Sequence, residues 1–246
     1  MNYSTLQPIR PKMDFKKDFY LDPSQYLHDE TEKTQICLHH TASGPGVNGD
    51  YKWWVQNTSR IATHFIIARD GTIYLMFPEK NWAHHLGVKQ WVFKKANIKN
   101  GNNPKLNMGC IGIEIDSWGP LYEGEKFANA WTGTQVGYDK VTSYTAPFKT
   151  IPSSPFFESK KVAGKPAHLY EAYTEDQIAA TYRLVSYLSK KYEIPIEGAD
   201  TQFSLSKSAL TGKPGLYTHN SYRPDKQDIH PQPEMVDMLL SLKNQF

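Results

Sequence analysis

Seven of the nine histidines, His39, His40, His64, His84, His85, His219 and His230, fall at the ends of short apolar runs or in the loops beside them. Strand ends and loops are where a fold gathers functional side chains. A catalytic zinc takes three protein ligands drawn from His, Asp, Glu or Cys and keeps a fourth position for water. The stretch from Thr218 to Pro231 offers His219 and Asp228 across a loop containing Pro224, with His230 as a competing donor. A second kind of chemistry is signalled by Glu114, a carboxylate embedded in the apolar run Cys110 to Ile115. A carboxylate in that setting needs a basic partner, for which Arg69 or Lys226 would serve, or a proton-transfer role.

These residues need a scaffold, and the chain alternates strand and helix signals. Gln35 to His40 is an apolar run ending in two histidines, the pattern of a buried strand delivering side chains to a sheet edge. Because successive strand residues point to opposite faces, His39 and His40 cannot serve the same site. His64–Ala68 and Thr72–Phe77 flank Arg69-Asp70-Gly71, a hairpin signature, and Asp50–Thr58 reads as a short helix carrying Trp53 and Trp54. Tyr173–Tyr192 is the clearest helix: Thr174 and Gln177 form a capping box, Ile178, Tyr182, Val185 and Tyr192 share a face, and Pro195 stops it. Pro233–Leu242 reads as a closing helix with Met235, Met238, Leu239 and Leu242 turned inward, and Ala199–Gly215 as a polar loop. The expected fold is therefore α/β, a single domain with a central mixed sheet flanked by helices over residues 34–246, preceded by an irregular arm, residues 1–33. Residues 117–166, rich in Gly, Pro and aromatic side chains, read as a long insertion packed by its own aromatics.

Five segments in this order make the sequence specific: Ile36-Cys37-Leu38-His39-His40-Thr41-Ala42, Ala62 through Tyr74, Trp82-Ala83-His84-His85-Leu86-Gly87, Ile111-Gly112-Ile113-Glu114-Ile115, and His219 through Asp228. Together they resemble the zinc-dependent N-acetylmuramoyl-L-alanine amidases, the family shared by phage amidase-type lysozymes, muropeptide amidases and peptidoglycan recognition proteins. The resemblance implies that His39, His219 and Asp228 hold a zinc ion, Asp228 standing where family members carry Asp or Cys. It implies Glu114 as general base and then acid, and Lys226 as the cation that steadies the oxyanion. Trp82 and His85 match positions lining the substrate groove. Thr63 stands where some phage members have a tyrosine, a departure that leaves the proton transfer to Glu114.

The implied activity is hydrolysis of the amide between N-acetylmuramic acid and L-alanine in peptidoglycan or a muropeptide, in an endolysin-like lytic role. The rivals are muropeptide recycling, a different amide substrate for the same fold, and a module that binds peptidoglycan without cutting it. His64 reads as a satisfied core histidine, Cys37 and Cys110 as small buried hydrophobes, and two or three of the six tryptophans are expected to face the groove. With 28 basic against 25 acidic residues the chain lacks the basic stripe of a nucleic-acid binder. No run approaches the roughly 18 apolar residues of a membrane span, and Met1 to Lys17 lacks the apolar core of a signal peptide. The expectation is a monomer made in the cytoplasm that reaches the cell wall only if lysis machinery releases it.

Overall fold

The computed structural model describes residues 13–122, 128–129, 143–145, 161–162, 165–166, 169–196 and 203–243. Its main sheet has five strands in the order β11-β1-β4-β2-β3: β1 (Gln35–His40), β2 (Phe65–Ile67), β3 (Ile73–Leu75), β4 (Cys110–Ile115) and β11 (Gly215–Thr218). β11, β1, β4 and β2 run parallel, and β3 pairs antiparallel with β2 at one edge. The sheet is thus mixed, and all six residues of β1 are buried, as expected for a central parallel strand covered on both faces.

Alternation along each strand separates two cores. Ile36 and Leu38 of β1 join Phe65, Ile67, Ile111, Ile113, Ile115 and Leu216 beneath two helices, Glu175–Tyr192 (α4) and Pro233–Lys243 (α7). The capping box of α4 is present, with the Thr174 side chain accepting from the Gln177 backbone and Gln177 reaching back to Thr174. On the opposite face, Cys37, Cys110 and Tyr217 pack with Leu86, Val92, Phe93 and Leu106. Cys37 and Cys110 are free and fully buried, as the sequence suggested. The hairpin also forms, its turn held by Asp70 Oδ1 accepting from Thr72 N at 2.9 Å.

Several elements depart from the sequence reading. The first helix, α1, starts earlier than expected, at Val47–Gln56. Two short helices, Gln90–Lys95 (α2) and Asn103–Gly109 (α3), lead into β4. The stretch read as a polar loop contains helix Lys207–Leu210 (α5) and ends at β11, with 199–202 outside the described residues. The stretch read as irregular insertion contains strands. Pro120–Tyr122 (β5), Ala128–Asn129 (β6), Ser143–Thr145 (β7) and Leu169–Glu171 (β10) form a second sheet in the order β6-β5-β10-β7. Lys161–Val162 (β8) and Lys165–Pro166 (β9) pair separately. Phe127, Trp131, Tyr138, Phe148, Phe156 and Phe157, expected to pack this segment, lie outside the described residues.

Both ends of that segment are fixed to one guanidinium. Arg69 is paired with Asp116 and with both carboxylate oxygens of Glu171, and Glu171 also accepts from Trp118 N. Asp116 Oδ2 accepts from Gly46 N at 3.0 Å, which fixes the start of α1 to the same network.

Candidate active site

The parallel register of β1 and β4 sets His39 directly beside Glu114. Neighbours in register share a face, so both side chains enter the same cleft, of about 570 Å³, while His40 borders it with its ring turned to the other face of the sheet. His40 Nδ1 instead meets Tyr173 OH at 3.1 Å, and Tyr173 stacks on His230 with ring centroids 4.1 Å apart. His230 is therefore behind the sheet and does not join the candidate ligands.

His219 and Asp228 arrive from beyond β11. His219 opens a one-turn helix, His219–Tyr222 (α6), held by a capping box between Thr218 and Ser221. Asn220 Nδ2 then donates to the carbonyls of Asp228 (3.0 Å) and Ile229 (3.1 Å), folding the loop so that Asp228 returns to His219. The result is a triangle of donor atoms: His39 Nδ1 to His219 Nδ1 3.0 Å, His39 Nδ1 to Asp228 Oδ2 3.2 Å, and His219 Nδ1 to Asp228 Oδ2 2.8 Å. Ligand atoms bound to one tetrahedral zinc stand roughly 3.3 Å apart, so the spacing suits that ion.

The surrounding hydrogen bonds fix which lone pairs face inward. His219 Nε2 lies 2.9 Å from the Leu86 carbonyl, which only accepts, so Nε2 carries the hydrogen and Nδ1 of the neutral ring is bare. His85 Nε2 faces the Cys110 carbonyl at 3.4 Å, which leaves His85 Nδ1 to accept from His39 Nε2 at 3.0 Å. His39 Nδ1 is then bare as well. Two bare nitrogens and a carboxylate oxygen pointing at one another repel unless a cation lies among them, so the donor set fits a divalent metal. Cys37, His39 and His85 form a second group of donors within 4.8 Å, but the His39–His85 hydrogen bond already occupies that side.

Electrostatics agree with this arrangement. Burial, reinforced by the neighbouring His219, holds His39 down to about 4, so it remains a neutral donor. Burial alone would raise Asp228; the neighbouring His219, then His39 and Lys226, outweigh it and hold the carboxyl well below its usual range, so it stays an anion. Glu114 is pushed well above the usual carboxylate range by burial, then by Asp228 and Asp50, against the opposing pull of Lys226. Its Oε2 makes no hydrogen bond with the described residues. Arg69, a candidate partner for Glu114, is committed to Asp116 and Glu171 instead.

Thr63, His85 and Lys226 line the cleft together with Trp53 and Trp54 of α1. Trp82 does not. Its backbone pairs with Leu27, its ring is buried edge-on to His84, and the expectation that it lines the groove is corrected. His64 is the satisfied core histidine expected, taking Gly112 N on Nδ1 and meeting the Asn81 carbonyl with Nε2. Among the described residues of 117–166, none lines the cleft. Sequence reasoning missed three positioning groups: the Leu86 carbonyl, Asn220, and Asn107, whose Oδ1 accepts from the backbones of His85 (2.8 Å) and Leu86 (3.1 Å).

A family model described as N-acetylmuramoyl-L-alanine amidase matches residues 30–232. The chain belongs to that family. Among solved structures, PlyL is similar with 14% identity, a TM-score of 0.48, and coverage of 92% of this chain and 97% of PlyL. The amidase LysCS from Clostridium intestinale gives 16% identity and a TM-score of 0.40, covering 88% of this chain and 90% of LysCS. A selenomethionine derivative of AmpD gives 13% identity and 0.41, covering 94% and 99%. No curated protein sequence matches the chain. In this amidase, donors suited to a metal and a sequestered carboxylate share one cleft.

Proposed function

We propose that the chain is a zinc-dependent hydrolase of the amide between N-acetylmuramic acid and L-alanine in bacterial peptidoglycan. The observation that carries this is the convergence of His39 Nδ1, His219 Nδ1 and Asp228 Oδ2 beside Glu114 in one cleft. Zinc held by those three residues would supply Lewis acidity and make the attacking water more acidic. Glu114 takes a proton from the attacking water and returns it to the leaving alanine nitrogen. Burial raises its affinity for a proton, which favours that first transfer to the carboxylate, and a cation held by Asp228 would remove one of the charges that push it up. Lys226 lies within electrostatic reach of Glu114 and steadies the negative charge that develops on the carbonyl oxygen.

The reading extends to an endolysin-like role in which the enzyme meets the wall after release from the cell. Among the described residues no helix is long and apolar enough to cross a membrane. The test is release of new L-alanine amino termini and lactyl-muramic acid ends from purified peptidoglycan. Activity should vanish on chelation, return with zinc and be lost in Glu114→Ala. Binding to peptidoglycan with no new amino termini under any condition would replace the amidase by a recognition module.

A further inference from the structure

One wall of the cleft is the face of α1 that carries Gly49, Asp50, Trp53 and Trp54. Trp54 anchors that wall, being 6% exposed in a cluster with Val47, Ala62 and Ile66. Trp53 is the reverse, a tryptophan left 54% exposed on the surface of a substrate-sized cleft. Asp50 precedes it by one helical turn and so shares its face. The Asp50 side chain is buried, and its Oδ2 has no hydrogen bond among the described residues. Ser43 relieves the carboxyl in part, yet burial still pushes it up to about 7. Arg69 cannot serve it, being held by Asp116 and Glu171. A buried carboxyl oxygen lacking a donor is costly, so a ligand that supplies one binds there with advantage.

We infer that this α1 face is a saccharide-binding wall, with Trp53 under the apolar face of an N-acetylated amino sugar and Asp50 accepting a hydrogen bond from its hydroxyl. The inference rests on the amidase reading for the identity of the sugar. Charge assigns the two halves of the substrate. Asp50 and Glu114 are both carboxyls, so this end of the cleft offers an anion no cation to pair with. Lys226 is the only lysine or arginine among the described lining residues. A peptide ending in a carboxylate is drawn toward Lys226, and the uncharged, hydroxyl-rich sugar is left to α1.

Binding is measured by calorimetry in Glu114→Gln, which permits titration without turnover. The titrants are a peptide-free disaccharide of N-acetylglucosamine and N-acetylmuramic acid, its lactyl carboxyl capped as the amide so that it is uncharged, and, separately, a sugar-free lactoyl-peptide. Adding Trp53→Ala or Asp50→Asn should weaken disaccharide binding about tenfold while changing lactoyl-peptide binding less than about twofold. Equal losses for both titrants, a loss confined to the peptide, or an absence of disaccharide binding to Glu114→Gln itself would overturn the inference. Trp53 is exposed, so its replacement keeps the test open if Asp50→Asn fails to fold. If native protein releases no amino termini from peptidoglycan but the disaccharide still binds through Trp53, the amidase reading falls and the saccharide wall stands.

Discussion

Replacing His85 with alanine separates a metal-positioning histidine from a substrate-facing one. The structure gives His85 one strong polar contact, Nδ1 accepting from His39 Nε2 at 3.0 Å, and that contact keeps the bare nitrogen of His39 turned toward His219 and Asp228. Without it, His39 is free to turn its ring or move its hydrogen to the wrong nitrogen. Loss of such an outer partner weakens metal binding about 10–100-fold, or about 1.4–2.7 kcal/mol. Competition with a chromophoric chelator should show that loss in His85→Ala, with partial recovery in His85→Gln, whose amide oxygen can accept from His39. Gly112→Ala should act in the same direction. A Cβ there would stand 2.8 Å from Thr63 Cγ2 and 3.0 Å from His85 Nδ1, forcing the imidazole off its seat. Zinc affinity within about twofold of native in His85→Ala, with the defect appearing only in KM, would refute the reasoning and return His85 to the groove-lining role expected from sequence.

Five further outcomes follow from the same geometry. Glu114→Gln should lower the release of amino termini by about 10²–10⁴-fold while retaining bound zinc, measured by metal analysis of the purified variant; near-native activity would place the base elsewhere. Asp228→Asn should lose zinc at micromolar concentrations and with it the zinc-dependent rise in Tm, since the triangle forfeits its only anion. Gly119→Ala places a Cβ 2.5 Å from His40 Nε2 at a φ of +67°, and a fall in urea midpoint should register a penalty of at least about 1–2 kcal/mol. For pH, burial holds His40 down to about 4 and His64 and His230 well below their ordinary value. The unfolded chain therefore binds more protons below about 6.5, and the chelated protein should lose stability as pH falls from there toward 4. Asp50, pushed up to about 7, acts with opposite sign, so Asp50→Asn should exceed native stability above pH 7 and lose that margin toward about pH 4; a margin constant with pH in urea titrations would contradict this.

The parts of the site that sequence made legible are those governed by local periodicity. Strand alternation alone separates His39 from His40, and the parallel register then carries Glu114 to the same face. The α4 boundary was legible because Thr174 and Gln177 sit at the spacing a capping box requires. What failed depends on distant chain or on backbone atoms. β11 has four residues, too few for a pattern, and its partner β1 lies far away in sequence. The strands within 117–166 are two or three residues long, so no alternation announces them. Trp82 and His85 belong to one motif, yet only His85 reaches the cleft, because Gly112 leaves room for its ring. The Leu86 carbonyl that fixes His219 carries no side-chain signature at all.

The chain enters the segment after β4 at Asp116 and leaves its second sheet at Glu171, and both residues hold Arg69. Exit and return are thus fastened at a single neck, reinforced by Glu171 N donating to the Gly119 carbonyl at 3.0 Å. Once a neck is closed, lengthening the segment beyond it costs only about 0.6 kcal/mol per doubling. Segments of other lengths can therefore be grafted between Gly119 and Leu169 with the candidate metal donors on β1 and beyond β11 left in register.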